Sequence, residues 1–112
     1  MIGVDGALNS VMEFTGPVID ALPLDDRIAM CNMAIEAGGD TGIFPFDDKT
    51  KAFVDSVTDR PYTPFASDPD AEYSRVVEID VTNLRPVVAL PHLPSNTWVA
   101  REVDDMGIHQ GL

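Results

Sequence analysis

Residues 30–38 read Met-Cys-Asn-Met-Ala-Ile-Glu-Ala-Gly and place an amide, Asn32, four residues before a carboxylate, Glu36. Positions i and i+4 share one face of an α-helix, so the two polar side chains are expected about one turn apart. Gly38 and Gly39 favour a left-handed end to this helix. The spacing alone is compatible with a helix rim that faces solvent and with the polar edge of a functional site.

On both sides of this helix, the sequence predicts alternating strands and helices. Asp25 or Asp26 is the expected cap of the helix, because a carboxylate there meets free backbone N–H groups. Ala52, Phe53 and Val57 are expected on the inward face of a second helix. Strand, helix, strand, helix and strand imply an α/β layer on a partly parallel sheet. The expected elements are a short helix or a strand over 8–14, a helical turn from Pro17, the helix over 24–37, a strand over 41–46, the second helix over 47–57, a loop over 62–69, and strands over 73–81 and 87–90.

The composition describes one acidic domain or part of one. The 112 residues carry 19 acidic and 7 basic side chains, for a formal net charge of −12, and 45% of the residues are hydrophobic. An acidic surface repels phosphates, so nucleic acids and anionic membranes are not expected partners. No apolar run approaches the roughly 20 residues of a membrane span, and residues 1–15 show no signal peptide. The single cysteine, Cys31, gives no disulfide framework, which favours a reducing, cytoplasmic location.

Six short blocks stand out along the chain. They are Glu13-Phe-Thr-Gly-Pro, Cys31-Asn-Met-Ala-Ile-Glu-Ala-Gly, Gly42-Ile-Phe-Pro, Ser67-Asp-Pro-Asp-Ala-Glu-Tyr, Glu78-Ile-Asp-Val and Pro86-Val-Val-Ala-Leu-Pro-His. In this order and at this spacing, over about residues 2–103, the chain resembles the aconitase superfamily. Within that superfamily, the nearest resemblance is to the large subunits of 3-isopropylmalate dehydratase and to the homoaconitase-like enzymes.

The resemblance implies a fold and two site residues. The fold would be α/β, with the three-layer α/β/α arrangement of an aconitase-type middle domain, incomplete at its N-terminal side, and residues 11–14 would be a strand. The chain, 1–112, would be a single fragment of that domain, with 92–112 a linker towards the cluster-binding domain. Asn32 would donate a hydrogen bond near the substrate, and Glu36 would lie close to the open iron of a [4Fe–4S] cluster and its water. Both residue types suit these roles, since an amide donates and accepts at once and a carboxylate accepts from bound water.

The cluster itself has no expected ligand here. The family holds it with three cysteines, one in a Gly-Ser-Cys-Thr-Asn block and two in a later Cys-x-x-Cys, whereas this chain has one cysteine. The resemblance therefore implies a [4Fe–4S] cluster in the complete enzyme whose ligands lie outside this chain. Cys31 is expected to be a small buried hydrophobe. His92, between two prolines, has no second ligand at metal-binding spacing and is expected to be a loop histidine rather than a base or ligand.

Two functions remain open from the sequence. In the first, the chain is part of a hydro-lyase large subunit that isomerises 3-isopropylmalate, or a related 2-hydroxy acid, by dehydration and rehydration in leucine biosynthesis. The expected partners are then the small-molecule substrate and a separate small subunit, and the fragment alone would be inactive. In the second, the chain is a stand-alone acidic α/β module that binds a partner without catalysis. A Gly-Ser-Cys-Thr-Asn block in frame after Leu112 would favour the first.

Overall fold

The computed structural model describes residues 2–103, which divide into two units after Tyr73. The first unit contains a parallel strand pair with three α-helices, and the second contains an antiparallel strand pair. In chain order the elements are β1 Val11–Glu13, α1 Pro17–Ala21, α2 Leu24–Met33, a 3₁₀ turn Ala34–Ala37, β2 Thr41–Ile43, α3 Asp48–Val57, β3 Val87–Ala89, β4 Thr97–Val99 and a second 3₁₀ turn Ala100–Glu102. Within this part of the chain, every helix is too short or too polar to span a membrane.

The first unit is organised around the parallel pairing of β1 and β2. Val11 lies opposite Thr41, and Glu13 lies opposite Ile43. Parallel neighbours need a crossover connection, which α1, α2 and the first 3₁₀ turn supply. The mixed helix and strand content and the partly parallel pairing predicted from the sequence are confirmed, although β2 is shorter than the predicted strand. It ends before Pro45, whose ring nitrogen has no hydrogen for a ladder.

A glycine in β2 lets α2 pack closely on this strand pair. A Cβ atom on Gly42 would lie 2.9 Å from Phe14 Cε2, closer than real Cβ contacts come, and 3.1 Å from Cys31 Cα, which is tighter than most. The Cys31 thiol donates to the Gly42 carbonyl oxygen at 3.1 Å. Phe14 also stacks on Phe44, with ring centroids 5.1 Å apart. The absence of a side chain at position 42 therefore sets the distance between α2 and the strands.

A buried arginine joins the three α-helices. Arg27, in α2, is 3% exposed, and its Nη2 lies 2.8 Å from Asp47 Oδ2 and 3.2 Å from the Asp20 carbonyl oxygen. Asp47 caps α3 by accepting from the Thr50 backbone N–H at 3.0 Å. Lys49 Nζ donates back to the Asp20 carbonyl oxygen at 2.6 Å. The predicted start of this helix at 47–48 is confirmed. The Arg27 guanidinium connects its cap, Asp47, to the Asp20 carbonyl oxygen of α1.

The start of α2 differs from the prediction. Its N-cap is Pro23, without a side-chain cap, so the expected capping by Asp25 or Asp26 is wrong. The two aspartates lie two and three residues after Pro23, within the first turn. There they still favour the positive end of the helix dipole without closing a cap hydrogen bond.

The second unit, described from Ser74 to Val103, is built on an antiparallel pair. Val87 lies opposite Val99, and Ala89 lies opposite Thr97. The predicted strand over 87–90 is confirmed as β3, but it is exposed rather than buried. Within 92–112, the segment that the resemblance assigns to a linker, Thr97–Val99 form β4, and 104–112 lie outside the described residues.

Two predictions fail because the apolar side chains on which they rested have no second layer to pack against. Residues 73–81, predicted as a strand, form none, and Ile79 is 69% exposed. The predicted inward face of α3 is also wrong, since Phe53 is 49% and Val57 is 65% exposed. Alternation and helical spacing predict a buried face only where another layer covers it. Among the described residues, the buried apolar side chains are Ala7 and Ala34.

Candidate functional site

Asn32 and Glu36 lie on consecutive but different helical segments. Asn32 is in the last turn of α2, and Glu36 is in the 3₁₀ turn that continues it. An α-helix turns about 100° per residue and a 3₁₀ helix about 120°. The two side chains are therefore separated by about 80–100° around the axis, instead of the about 40° expected of an unbroken α-helix. Both residues are exposed, on adjoining faces of the same helix end.

The helix end that carries Glu36 is closed by two glycines, as predicted. Gly38 has φ 78°, in the left-handed region, and its N–H donates to the Ile35 carbonyl oxygen at 2.9 Å. The Gly39 N–H donates to the Ala34 carbonyl oxygen at 3.1 Å. These bonds satisfy carbonyls that a helix end would otherwise leave open. The backbone on both sides of Glu36 is consequently fixed, while its side chain projects into solvent.

Cys31 lies next to Asn32 and has a structural role. It is partly rather than fully buried, so the prediction of a small buried hydrophobe is correct only in part. Burial raises the pKa of the Cys31 thiol, and the thiol donates to Gly42, as described above. A protonated, hydrogen-bonded thiol is a poor nucleophile and a poor metal ligand.

The residues from Ile2 to Val103 offer no ligand set for a metal ion. No group of three histidine, cysteine, aspartate or glutamate side chains in this part of the chain is close enough to hold one. His92 is exposed in the turn between β3 and β4. A [4Fe–4S] cluster therefore does not fit these residues, which include a single cysteine.

The structure adds a polar cluster that the sequence did not identify. Glu13, at the carboxyl end of β1, accepts hydrogen bonds from Ser67 Oγ at 2.8 Å and from Tyr73 Oη at 2.5 Å. It borders a groove of about 230 Å³ whose other lining residues are Ile43, Phe44, Pro45, Phe65, Ala66 and Ser67. The one available signal was a carboxylate at the end of a parallel strand, where open α/β sheets present their sites. Glu36 precedes the amino end of β2, so the cluster and the Asn32–Glu36 pair adjoin opposite strand ends.

The sequence, compared with known protein families, shows the class of protein: the chain belongs to the aconitase family. The family pattern, described as aconitase (aconitate hydratase), matches residues 1–110. This confirms the resemblance on which Asn32 and Glu36 were selected.

Within the family, similar relatives share one description. The chain is 57% identical over 109 residues to the 3-isopropylmalate dehydratase large subunit of Desulfatibacillum aliphaticivorans and 56% identical over 109 residues to that of Heliobacterium modesticaldum. It is 51% identical over 110 residues to the large subunit of Clostridium beijerinckii. These alignments cover 97%, 97% and 98% of this chain and 26% of each relative. The chain thus spans about a quarter of the length of the relatives it matches.

Proposed function

We propose that this chain is the part of a 3-isopropylmalate dehydratase large subunit that contributes Asn32 and Glu36 to the active site. The observation that supports it most strongly is the identity of 57% to such a subunit over 97% of the chain. The complete enzyme would isomerise 3-isopropylmalate, or a related 2-hydroxy acid, by removing and re-adding water. It would act in the cytoplasm, with a separate small subunit that completes the site.

The two proposed residues would have different roles in the reaction. The Asn32 amide would donate a hydrogen bond to an oxygen of the substrate and hold it in place. The Glu36 side chain would give a proton to the departing hydroxyl and, as a carboxylate, accept a proton from the entering water. Exposure of both side chains on one helix end is compatible with a site completed by other parts of the enzyme.

The remaining parts of the proposal concern what surrounds this chain. A three-layer α/β/α middle domain would place further elements over the exposed faces of α3 and of residues 73–81. The [4Fe–4S] cluster would be held entirely by cysteines elsewhere in the enzyme, and it would supply Lewis-acid binding of the substrate. This chain's own contribution would be to position Asn32 and Glu36.

A segment exchange tests the proposal. The 109 matching residues of the Desulfatibacillum aliphaticivorans large subunit would be replaced by this chain, and the chimera assembled with its small subunit. Turnover of 3-isopropylmalate and of homoaconitate would be compared after the cluster content is measured. We expect turnover of 3-isopropylmalate, and in the chimera Glu36→Gln is expected to lower kcat about 100-fold or more, the scale of a lost acid–base group.

Glu78→Gln is the matched control, because Glu78 is also exposed and lies in the second unit. It should leave turnover unchanged. Normal turnover by the Glu36→Gln chimera would exclude the proposed role of Glu36. A chimera that folds and carries its cluster but never turns over would favour the non-catalytic module instead.

A further inference from the structure

The segment before β1 packs against the turn that carries Glu36. Residues 2–10, here called the N-terminal turn, contain Ala7, which is 8% exposed and whose N–H donates to the Ala37 carbonyl oxygen at 2.9 Å. After the turn, the Asp40 N–H donates to the Ser10 carbonyl oxygen at 2.9 Å. The N-terminal turn is thus hydrogen-bonded to the backbone after Glu36 at two places.

Gly38 allows this close approach. A Cβ atom at position 38 would lie 2.9 Å from the Val4 carbonyl oxygen, 3.5 Å from Leu8 Cα and 3.6 Å from Asp5 Cα. All three atoms are backbone, so none can rotate away. The left-handed φ of 78° at Gly38 adds a second reason for glycine.

The position of the Glu36 side chain depends on this backbone contact. Among residues 2–103, no side chain or backbone group forms a hydrogen bond or ion pair with the Glu36 carboxylate. The 3₁₀ turn therefore sets where the Glu36 side chain leaves the backbone, which limits the positions that its carboxylate can reach. The orientation of the turn is set at its end by Gly38 and by the Ala7 hydrogen bond.

We propose that Gly38 and Ala7 are positioning residues for Glu36, acting through the contact between the N-terminal turn and the 3₁₀ turn. The inference rests on the proposed function, because it assumes that Glu36 acts on the substrate. A side chain at position 38 must push the two turns apart. Misplacement of a reacting group by about 1 Å can lower a rate by about 100-fold, so a smaller shift is expected to have a smaller effect.

The chain contains a matched control for this contact. Gly3 has the same φ, 78°, but a Cβ there would meet nothing within 4 Å. Gly3→Ala therefore imposes a similar backbone strain without the steric contact. In the chimera, Gly38→Ala is expected to lower kcat about tenfold or more while KM changes less than about twofold, and Gly3→Ala is expected to change neither.

A double-mutant cycle separates positioning from general destabilisation. If Gly38 acts through Glu36, Gly38→Ala should have almost no further effect on kcat in the Glu36→Gln background. If the Gly38→Ala chimera does not accumulate, Gly38→Asn replaces it, since asparagine tolerates the left-handed region but keeps the Cβ contact. Melting temperature and cluster content are measured for every variant.

The outcomes distinguish the inference from the proposed function. Normal turnover by Glu36→Gln overturns the proposed function and, with it, the inference. An impaired Glu36→Gln combined with additive effects of Gly38→Ala overturns the inference alone. Equal losses of kcat in Gly38→Ala and Gly3→Ala also overturn it, because backbone strain would then be sufficient.

Discussion

Among the described residues, Arg27 is the most deeply buried charged side chain, and only part of its guanidinium group has hydrogen-bond partners. Its Nη2 contacts Asp47 and the Asp20 carbonyl oxygen, while its Nε is buried without a hydrogen-bond partner. A buried charge of this kind is costly once its counter-ion is removed. The ion pair with Asp47 is therefore expected to matter more for stability than a surface ion pair.

We expect Asp47→Asn to destabilise the chimera by about 2–3 kcal/mol, because it leaves Arg27 buried and uncompensated beside a partly exposed partner. The free energy of unfolding would be measured in denaturant. Asp48→Asn is the control, since Asp48 is exposed in the first turn of the same helix. A loss no greater than that of the control would show that the Arg27 pair contributes little.

The effect of Asp47→Asn should also depend on pH. The hydrogen bond from Arg27, with that from the Thr50 backbone, lowers the pKa of Asp47 from 3.8 to about 2. A lowered folded-state pKa gives stability that is fully present above the unfolded pKa and lost as pH falls through the folded one. The difference between the chimera and Asp47→Asn should therefore be constant above about pH 5 and should shrink between about pH 4 and 2. A difference that stays constant down to pH 2 would contradict the assigned ion pair.

Asn32→Ala tests the second proposed site residue. Loss of a positioned amide should cost about 1–3 kcal/mol of transition-state binding, seen as a lower kcat/KM. Because Asn32 is exposed and the neighbouring Cys31 makes the packing contact, the melting temperature should fall by no more than a few degrees. Unchanged kcat/KM would remove Asn32 from the site, and wholesale unfolding would identify it as structural.

At the scale of elements, the contact between α2 and β2 depends on one position. Gly42→Ala places a Cβ between Phe14 and Cys31 without any left-handed strain, so its effect is steric alone. We expect a loss of about 1–3 kcal/mol in unfolding free energy, the usual cost of overpacking. Cys31→Ser keeps the volume and the donor to Gly42 and is expected to cost less. If Gly42→Ala is as stable as Cys31→Ser, the close approach of α2 to β2 does not require glycine at position 42.

The elements that the sequence predicted correctly are those whose signals are local. Asp47 caps α3 through a hydrogen bond to a residue three positions away, and Gly38 ends the helix through its own φ. The 3₁₀ geometry around Glu36 was missed because four residues are too few for periodicity to distinguish 3.0 from 3.6 residues per turn. The Glu13 cluster was missed because Ser67 and Tyr73 are 54 and 60 residues away along the chain.

At the largest scale, most of the large apolar side chains in residues 2–103 are exposed or only partly buried. Phe65 is 86%, Val76 is 81% and Ile35 is 71% exposed. Burial of apolar area supplies the main favourable term in folding, at about 25 cal/mol per Å². With Ala7 and Ala34 as the buried apolar side chains among residues 2–103, little of that term is realised. The failed predictions at 73–81 and on α3 have the same cause.

The isolated chain, compared with the chimera, is therefore expected to behave as an incomplete domain. It should bind a dye specific for exposed apolar surface and unfold without a sharp transition, because too little apolar area is buried to offset the conformational entropy. After reconstitution with iron and sulfide under anaerobic conditions, it should show neither iron–sulfur absorption nor dehydratase activity, because its single cysteine cannot supply three ligands. The chimera, treated identically, should bind little dye, unfold cooperatively and carry the cluster. A sharp unfolding transition of the isolated chain with no dye binding would mean that it is a complete domain, and would favour the partner-binding module over the enzyme segment.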